Sequence, residues 1–174
     1  MPYQLQRLSG WDQTLCVRLN QASRNRITRG VFRVVSRLGD GVFWYALMLA
    51  LLLALRSAAV PAVLHMIGTG LICTLLYKWL KRKTCRPRPY QVHRDIVCSA
   101  TPLDPFSFPS GHTLHAVAFC MIAIAHYPVL ALVLLPFTVL VATSRVILGL
   151  HYPSDVIAGA LVGMLIAGSV LNLT

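Results

Sequence analysis

The sequence of 174 residues contains no glutamate, and its only acidic residues are five aspartates. These are scattered along the chain, with no two close in sequence: Asp12, Asp40, Asp95, Asp104 and Asp155. A two-metal catalytic centre needs several carboxylate oxygen ligands held near one another. The shortage and the spacing of acids therefore argue against a metal site, and we expect neither a metal nor another cofactor.

Charged residues of either sign are also scarce. They make up 12% of the chain against a hydrophobic fraction of 56%, and the mean hydropathy is +0.66. A soluble domain of this size needs more charged surface, so the composition indicates a membrane protein of one domain. The net charge of +11 would suit a nucleic-acid partner, but the cations adjoin hydrocarbon-length segments. Anionic lipid headgroups fit that arrangement better, and we expect no nucleic-acid partner.

The five cysteines include no CxxC pair and no spacing typical of zinc. Cys73 and Cys120 lie in apolar runs and are interpreted as packing residues. Cys85 and Cys98 fall in one polar loop, where a disulfide is an alternative if the loop faces an oxidising compartment. The first apolar run begins only near Gly41, so the N-terminal sequence lacks the order of a cleavable signal.

Apolar segments suited to membrane-spanning helices, which need about 20 residues each, fill the chain after residue 40. The sequence predicts spans at 41–55, 59–77 and 156–173, and two more within 113–144, separated at His126-Tyr127-Pro128. Residues 1–37 carry scattered arginines and alternate with apolar residues, which is typical of interfacial amphipathic helices.

We therefore predict an all-α membrane helix bundle of about five transmembrane helices, preceded by interfacial helices. It forms a single domain over residues 1–174, with an interfacial part at 1–40 and a transmembrane core at 41–174. The sequence predicts no particular oligomeric state. Five spans place three polar stretches, 1–40, 81–111 and 145–155, on one membrane face. That face carries all but one of the 16 Lys and Arg residues, so we expect the functional site there.

The first motif of that face lies in the run "KWLKRKTCRPRPY", residues 78–90. Pro87 and Pro89 restrict the backbone to extended geometry, which holds Arg88 as a stiff arm. Arginine offers a planar fork matched to phosphate oxygens, and Lys81 a compact positive charge. The alternative is a basic patch beside the membrane that only binds anionic lipid.

The second motif is "FPSGHT", residues 108–113. Pro109 and Gly111 interrupt the chain immediately before an apolar helix, so Ser110 and the Gly111 amide lie at a helix N-terminus that favours an anion. His112 follows in the first turn. In the alternative interpretation, Ser110 is simply an N-cap and His112 an interfacial histidine.

The third motif is "SRVILGLHYPSD", residues 144–155. Pro153 suits the first turn of a helix, which places Asp155 where it can turn back toward the His151 ring. A carboxylate on one imidazole nitrogen fixes the tautomer and makes the other nitrogen a better nucleophile or base. Alternatively, Asp155 only favours the helix dipole.

Together, Lys81-x6-Arg88-Pro89, Pro109-Ser110-Gly111-His112 and Ser144-Arg145-x5-His151-x3-Asp155 resemble the three signature motifs of the type-2 phosphatidic acid phosphatase superfamily. The resemblance runs from about residue 78 to the end. It implies that His151 attacks phosphorus and forms a phosphohistidine, that Asp155 orients its ring, and that His112 protonates the leaving oxygen and then activates water. It assigns phosphate binding to Lys81, Arg88, Ser110, Gly111 and Arg145. The remaining cations of the first motif are expected to meet headgroups or solvent: Lys78, Arg82, Lys83 and Arg86.

The hydrophobic spans favour the membrane branch of that superfamily over its soluble members. The resemblance implies a metal-independent hydrolase of a lipid phosphate, weakly favouring undecaprenyl diphosphate over phosphatidylglycerophosphate, phosphatidic acid or lipid A phosphates. A lipid-to-lipid phosphotransferase and a non-catalytic protein that binds anionic lipid remain as alternatives. We expect a location in the bacterial inner membrane. The positive-inside rule would place the basic face in the cytoplasm, but most bacterial membrane relatives work on the periplasmic side, and we expect the periplasmic face.

Overall fold

Helices make up every regular element between residues 3 and 173, the part of the chain that the computed structural model describes, with side chains described from Gly10 onward. The helices are α1 (Tyr3–Asn20), α2 (Arg26–Arg37), α3 (Phe43–Leu55), α4 (Val60–Thr84), α5 (Pro89–Val92), α6 (Gly111–His126), α7 (Ala131–Ile147) and α8 (Pro153–Asn172). This arrangement confirms the predicted all-α membrane bundle.

Three helical stretches of the described chain are long and apolar enough to cross a membrane, namely Arg26–Val92, Pro128–Ile147 and Pro153–Asn172. The first of these contains both α3 and α4, which a turn at Arg56–Ala59 separates. Helix α6 is apolar but has only 16 residues. At a rise of about 1.5 Å per residue it is somewhat shorter than a typical hydrocarbon core.

Helix α4 continues past the predicted end of its span at residue 77 as far as Thr84. The two extra turns bring Lys81 inside the protein, where its side chain is buried. The ammonium group is accommodated there because an aspartate and a backbone carbonyl bind it.

Helices α6 and α8 approach so closely that their backbones are in contact. A Cβ atom at Gly159 would lie 2.6 Å from the carbonyl oxygen of Ser110, and one at Gly163 would lie 2.5 Å from that of Leu114. The Ser110 amide also donates a hydrogen bond of 3.0 Å to the carbonyl oxygen of Asp155. The two glycines of this GxxxG pattern therefore set the position of the α6 N-terminus against α8.

Gly159→Ala is expected to destabilise the protein by about 1–3 kcal/mol, because the added methyl group collides with the backbone of α6. Gly168→Ala on the same helix is the matched control, since no atom lies within 4 Å of a Cβ there. Alanine is favoured over glycine inside a helix, so this control should be neutral or slightly stabilising. Thermal unfolding in detergent measures both variants, and equal melting temperatures would contradict the close packing.

The N-terminal helices cover the polar end of the bundle. On α2 the apolar side chains of Ile27, Val31 and Val34 are exposed, whereas Ser36 is buried against the protein. An apolar face turned away from the protein fits a helix lying at the lipid interface. The Asn20 side chain donates to the carbonyl oxygens of Val97 and Ile147, at 3.0 and 2.9 Å. Asn20 thus fastens the 85–110 connection to the end of α7.

Candidate active site

A cavity of about 330 Å³ opens where α4, α6 and α7 reach the polar end of the bundle. Residues from all three sequence motifs line it: Lys81, Arg88, Gly111, His112, Arg145 and His151. Its opposite wall is apolar and includes Trp44, Met48, Ile67, Leu71 and Phe119. The cavity therefore combines a cationic end with a hydrocarbon-lined end.

His151 lies in the turn between α7 and α8, where its side chain is 1% exposed. Its Nε2 atom is 3.3 Å from Nη1 of Arg88, a donor, so this nitrogen carries a lone pair. Burial, and then the positive charges of Arg145, Arg88 and Lys81, hold the pKa of His151 well below its ordinary value. Both effects favour the neutral ring, which is the form that can act as a nucleophile.

Asp155 lies beside the other nitrogen of that ring, at 3.7 Å between Nδ1 of His151 and Oδ2 of the aspartate. This separation is too long for a hydrogen bond. Oδ2 instead accepts from the Tyr152 amide at 2.9 Å, and Oδ1 accepts from Arg86 at 2.7 Å. The structure therefore places the aspartate next to the ring, as predicted, with its carboxylate held mainly by the backbone and by arginine.

Arg86 is the cation whose environment the sequence predicted wrongly. Its guanidinium group forms ion pairs of 2.7 Å with both Asp12 and Asp155 and lies 4.2 Å from the centre of the Tyr152 ring. The other extra cations of that run, Lys78, Arg82 and Lys83, are exposed as predicted. Arg86 turns inward because two buried carboxylates, one of them on α1, would otherwise lack a counter-charge.

Asp104 is a site residue that the sequence motifs did not indicate. Both its carboxylate oxygens lie 2.7 Å from Nζ of Lys81, and Oδ1 lies 3.1 Å from Nη2 of Arg88. Burial opposes its ionisation, but the hydrogen bond from Lys81 and the charges of both cations hold the pKa of Asp104 below its ordinary value. This carboxylate thus positions two of the predicted phosphate-binding cations.

Arg145 is 2% exposed and lines the cavity from the end of α7. Its Nη1 donates to the hydroxyl of Ser36 on α2. Within the described part of the chain, its Nε atom has no hydrogen-bond partner. A buried cationic donor without a partner is suited to an anionic ligand in the cavity.

The second motif forms the start of α6. Ser110 is the N-cap, and its hydroxyl lies 3.0 Å from that of Thr113. Gly111 and His112 line the cavity, whereas Ser110 is fully buried behind them. His112 contacts the carboxylate of Asp40 through Nε2. No local pattern indicates that partner, because Asp40 lies in the connection between α2 and α3, far from His112 in sequence.

The cysteines of the polar loop carry free thiols in the structure, so the alternative of a disulfide between Cys85 and Cys98 is not realised. Both side chains are exposed, while Cys16, Cys73 and Cys120 are buried. The packing role predicted for Cys73 and Cys120 agrees with their burial.

The model of the PAP2 superfamily matches residues 42–174, and the chain belongs to this superfamily. The chain is 35% identical over 122 residues to "Lipid A 1-phosphatase" of Rhizobium etli, a match covering 65% of this chain and 53% of that protein. It is 37% identical over 82 residues to "Decaprenylphosphoryl-5-phosphoribose phosphatase" of Mycolicibacterium smegmatis, covering 46% of this chain and 42% of that one. The chain thus spans about half the length of the curated relatives it matches.

Two solved structures share the fold. The transmembrane PAP2-type phosphatidylglycerolphosphate phosphatase of Bacillus subtilis aligns with a TM-score of 0.73 and 26% identity, covering 92% of this chain and 85% of that chain. LpxE of Aquifex aeolicus aligns with a TM-score of 0.73 and 24% identity, covering 91% of this chain and 93% of that chain. The second likeness concerns the fold alone.

Proposed function

We propose that this protein is a membrane phosphatase that hydrolyses a lipid phosphate or diphosphate through a phosphohistidine on His151, without a metal ion. The observation that carries the proposal is the cavity itself. Three cations and a buried imidazole lie at one end of it, and apolar side chains line the other end. Such a cavity suits a molecule with a phosphate on an apolar tail.

In this mechanism Nε2 of His151 attacks phosphorus, and the bond from phosphorus to the leaving oxygen breaks. Lys81, Arg88 and Arg145 neutralise the charge on the phosphoryl oxygens, with the Gly111 amide at the α6 N-terminus as a further donor. His112 protonates the leaving oxygen and then takes a proton from the water that releases phosphate. Phosphoryl transfer needs mainly positioning and charge neutralisation, which these groups supply.

Asp155 and Ser110 have supporting roles in the proposal. Asp155 favours the His151 tautomer that carries its proton on Nδ1, since the carboxylate lies beside that nitrogen. Ser110 fixes the start of α6 as its N-cap, which sets the direction of the Gly111 amide and the His112 ring. Asp104 keeps Lys81 and Arg88 in place while the cavity is without substrate.

For the substrate, we propose undecaprenyl diphosphate as the first candidate, because the compact 81–111 connection resembles that of bacterial members that recycle this lipid. The named activities of the relatives add lipid A phosphate, phosphatidylglycerophosphate and a polyprenyl-linked sugar phosphate as further candidates. Phosphatidic acid completes the set. The apolar wall at Trp44, Met48 and Leu71 would receive the tail of any of these lipids.

A substrate panel on the purified protein tests the proposal. Phosphate release is measured for each candidate lipid, with and without EDTA, and with unphosphorylated acceptor lipids to detect phosphate transfer. We expect release from at least one lipid and no loss in EDTA, because the polar lining is mostly cationic and its acids are paired with cations or with histidine. Activity that EDTA abolishes and Mg²⁺ restores would contradict the metal-free mechanism.

We further propose that the protein resides in the bacterial inner membrane with its active site on the periplasmic face. Cys85 and Cys98 are the exposed thiols among the described residues. Cys85 ends α4 one turn after Lys81, and Cys98 lines a groove together with Asp40 and Arg145, so both lie on the side of the cavity. A membrane-impermeant maleimide should therefore label intact cells at these two positions. Labelling only after the inner membrane is permeabilised would place the site in the cytoplasm.

A further inference from the structure

Asp40 is held in place by the turn that joins α2 to α3. This turn, Leu38–Val42, is a single π-helical turn, and Asp40 lies between two glycines. Gly41 has φ +123°, a region that favours glycine, and a Cβ atom there would lie 2.9 Å from the Tyr45 ring. A Cβ atom at Gly39 would lie 3.0 Å from Val141 on α7. The backbone around Asp40 is therefore confined from both sides.

This confined turn brings the Asp40 carboxylate into the cavity. Asp40 lines it together with His112, and its Oδ1 contacts Nε2 of His112. The His112 side chain is 9% exposed, while that of Asp40 is 35% exposed. Among the described residues, the His112 ring hydrogen-bonds Asp40 through Nε2, and no hydrogen bond is found at Nδ1. Asp40 thus binds Nε2 of the His112 ring, and Nδ1 remains available to exchange a proton with a ligand.

We propose that Asp40 is a positioning residue for His112, and that the pair forms the acid–base unit of the proposed phosphatase. The inference rests on the proposed function. A carboxylate at Nε2 keeps a proton on that nitrogen and fixes the ring plane. Burial and the charge of Arg145 oppose a second proton on the ring, and a phosphate anion bound beside Arg145 offsets that charge, so Asp40 and the bound anion together stabilise the doubly protonated ring. Asp40 lies outside the three sequence motifs and before residue 42, where the match to the family begins.

The proton moves in two steps. In the first, His151 forms a bond to phosphorus, the bond to the leaving oxygen breaks, and the Nδ1 proton of His112 passes to that oxygen to give the alcohol. In the second, Nδ1 accepts a proton from water as the water oxygen attacks phosphorus and the bond to His151 breaks. Inorganic phosphate leaves, and the doubly protonated ring is restored. Asp40 keeps its negative charge throughout.

If Asp40 positions His112, the effect of replacing Asp40 on kcat/KM should depend on the leaving group of the substrate. A purely structural contact would not show this dependence. An alkoxide is a poor leaving group and needs the proton of His112, whereas 4-nitrophenolate leaves without one. The experiment compares kcat/KM for dodecyl phosphate and 4-nitrophenyl phosphate in wild type, Asp40→Asn and Lys81→Ala. Because kcat/KM covers the steps up to the first irreversible one, later hydrolysis of the phosphohistidine does not blur the comparison.

We expect Asp40→Asn to lower kcat/KM for dodecyl phosphate by about 100-fold and to change that for 4-nitrophenyl phosphate little. Lys81→Ala, which removes a phosphate-binding charge, should lower both by similar factors. Equal losses on both substrates in Asp40→Asn, or no loss on either, would overturn the proposal.

A second measurement does not depend on turnover. The ring ¹⁵N signals of His112, assigned by their absence in His112→Ala, should differ between wild type and Asp40→Asn in detergent micelles. Unchanged signals would overturn the contact itself. A wild-type protein that releases phosphate from no substrate, but whose His112 signals respond to Asp40→Asn, would refute the proposed phosphatase function while supporting the contact.

Discussion

His151→Ala is expected to lower phosphate release from the best lipid substrate by about 10⁴-fold or more, because the proposed mechanism makes the His151 ring the group that attacks phosphorus. The loss should appear mainly in kcat, since the cations that bind phosphate remain. His151 is fully buried in a turn and accepts one weak hydrogen bond from Arg88. The variant should therefore still fold, and thermal unfolding in detergent checks this.

The matched control for that variant is His93→Ala. His93 lies at the same polar end of the bundle but outside the cavity, and its ring forms a hydrogen bond with the Gln13 side chain. It should retain wild-type turnover. Near-normal activity in His151→Ala would contradict the phosphohistidine mechanism. A lipid phosphate with a radioactive phosphate group should label the wild type through a bond that is labile in acid and stable in base, and it should not label the variant.

Arg86→Ala is expected to cost about 3–5 kcal/mol of stability, because it removes the shared partner of two buried carboxylates. The side chains of Asp12 and Asp155 are 4% and 0% exposed, so neither gains much solvation when the guanidinium is lost. Activity should fall as well, since Asp155 adjoins the His151 ring. Thermal unfolding and phosphate release measure the two effects.

Lys83→Ala is the control for Arg86→Ala. It removes an exposed cation from the same run, so it should change the melting temperature little. If Arg86→Ala were as stable as Lys83→Ala, the buried network between α1 and α8 would not contribute to the fold. In that case Asp12→Asn should also leave the melting temperature unchanged. If the network does stabilise the fold, Asp12→Asn should lower the melting temperature clearly.

The sequence predicted the helical bundle and the meeting of three polar stretches because these depend on local patterns. Apolar runs indicate membrane helices, and the spacing of Lys81, Arg88, His112 and His151 resembles a known set of motifs. The α6 N-terminus could also be predicted, since Pro109 and Gly111 interrupt the chain just before an apolar run. The structure places these residues around one cavity.

The carboxylates that serve this cavity could not be predicted in the same way. Asp40 is 72 residues from His112, and Asp12 is 74 residues from Arg86. Such pairs depend on how α1, α2 and the connecting turns lie over the bundle, and no local spacing encodes that. For this reason the sequence predicts contact with headgroups or solvent for Arg86, whereas the structure pairs it with two buried aspartates. The composition does contain one useful signal. With five aspartates and 16 lysines and arginines, every aspartate has several cations with which it could form an ion pair.

The glycine contact between α6 and α8 has a consequence for how such proteins diversify. His112 lies at the start of α6, and His151 lies just before α8. The backbones of these two helices touch, and the Ser110 amide donates a hydrogen bond to the carbonyl oxygen of Asp155. Their spacing cannot be widened to admit a bulkier lipid without breaking that contact. We therefore expect adaptation to a different tail on the part of the apolar wall that α3 and α4 supply, where residues such as Met48 and Leu71 can change size without moving the contact between α6 and α8.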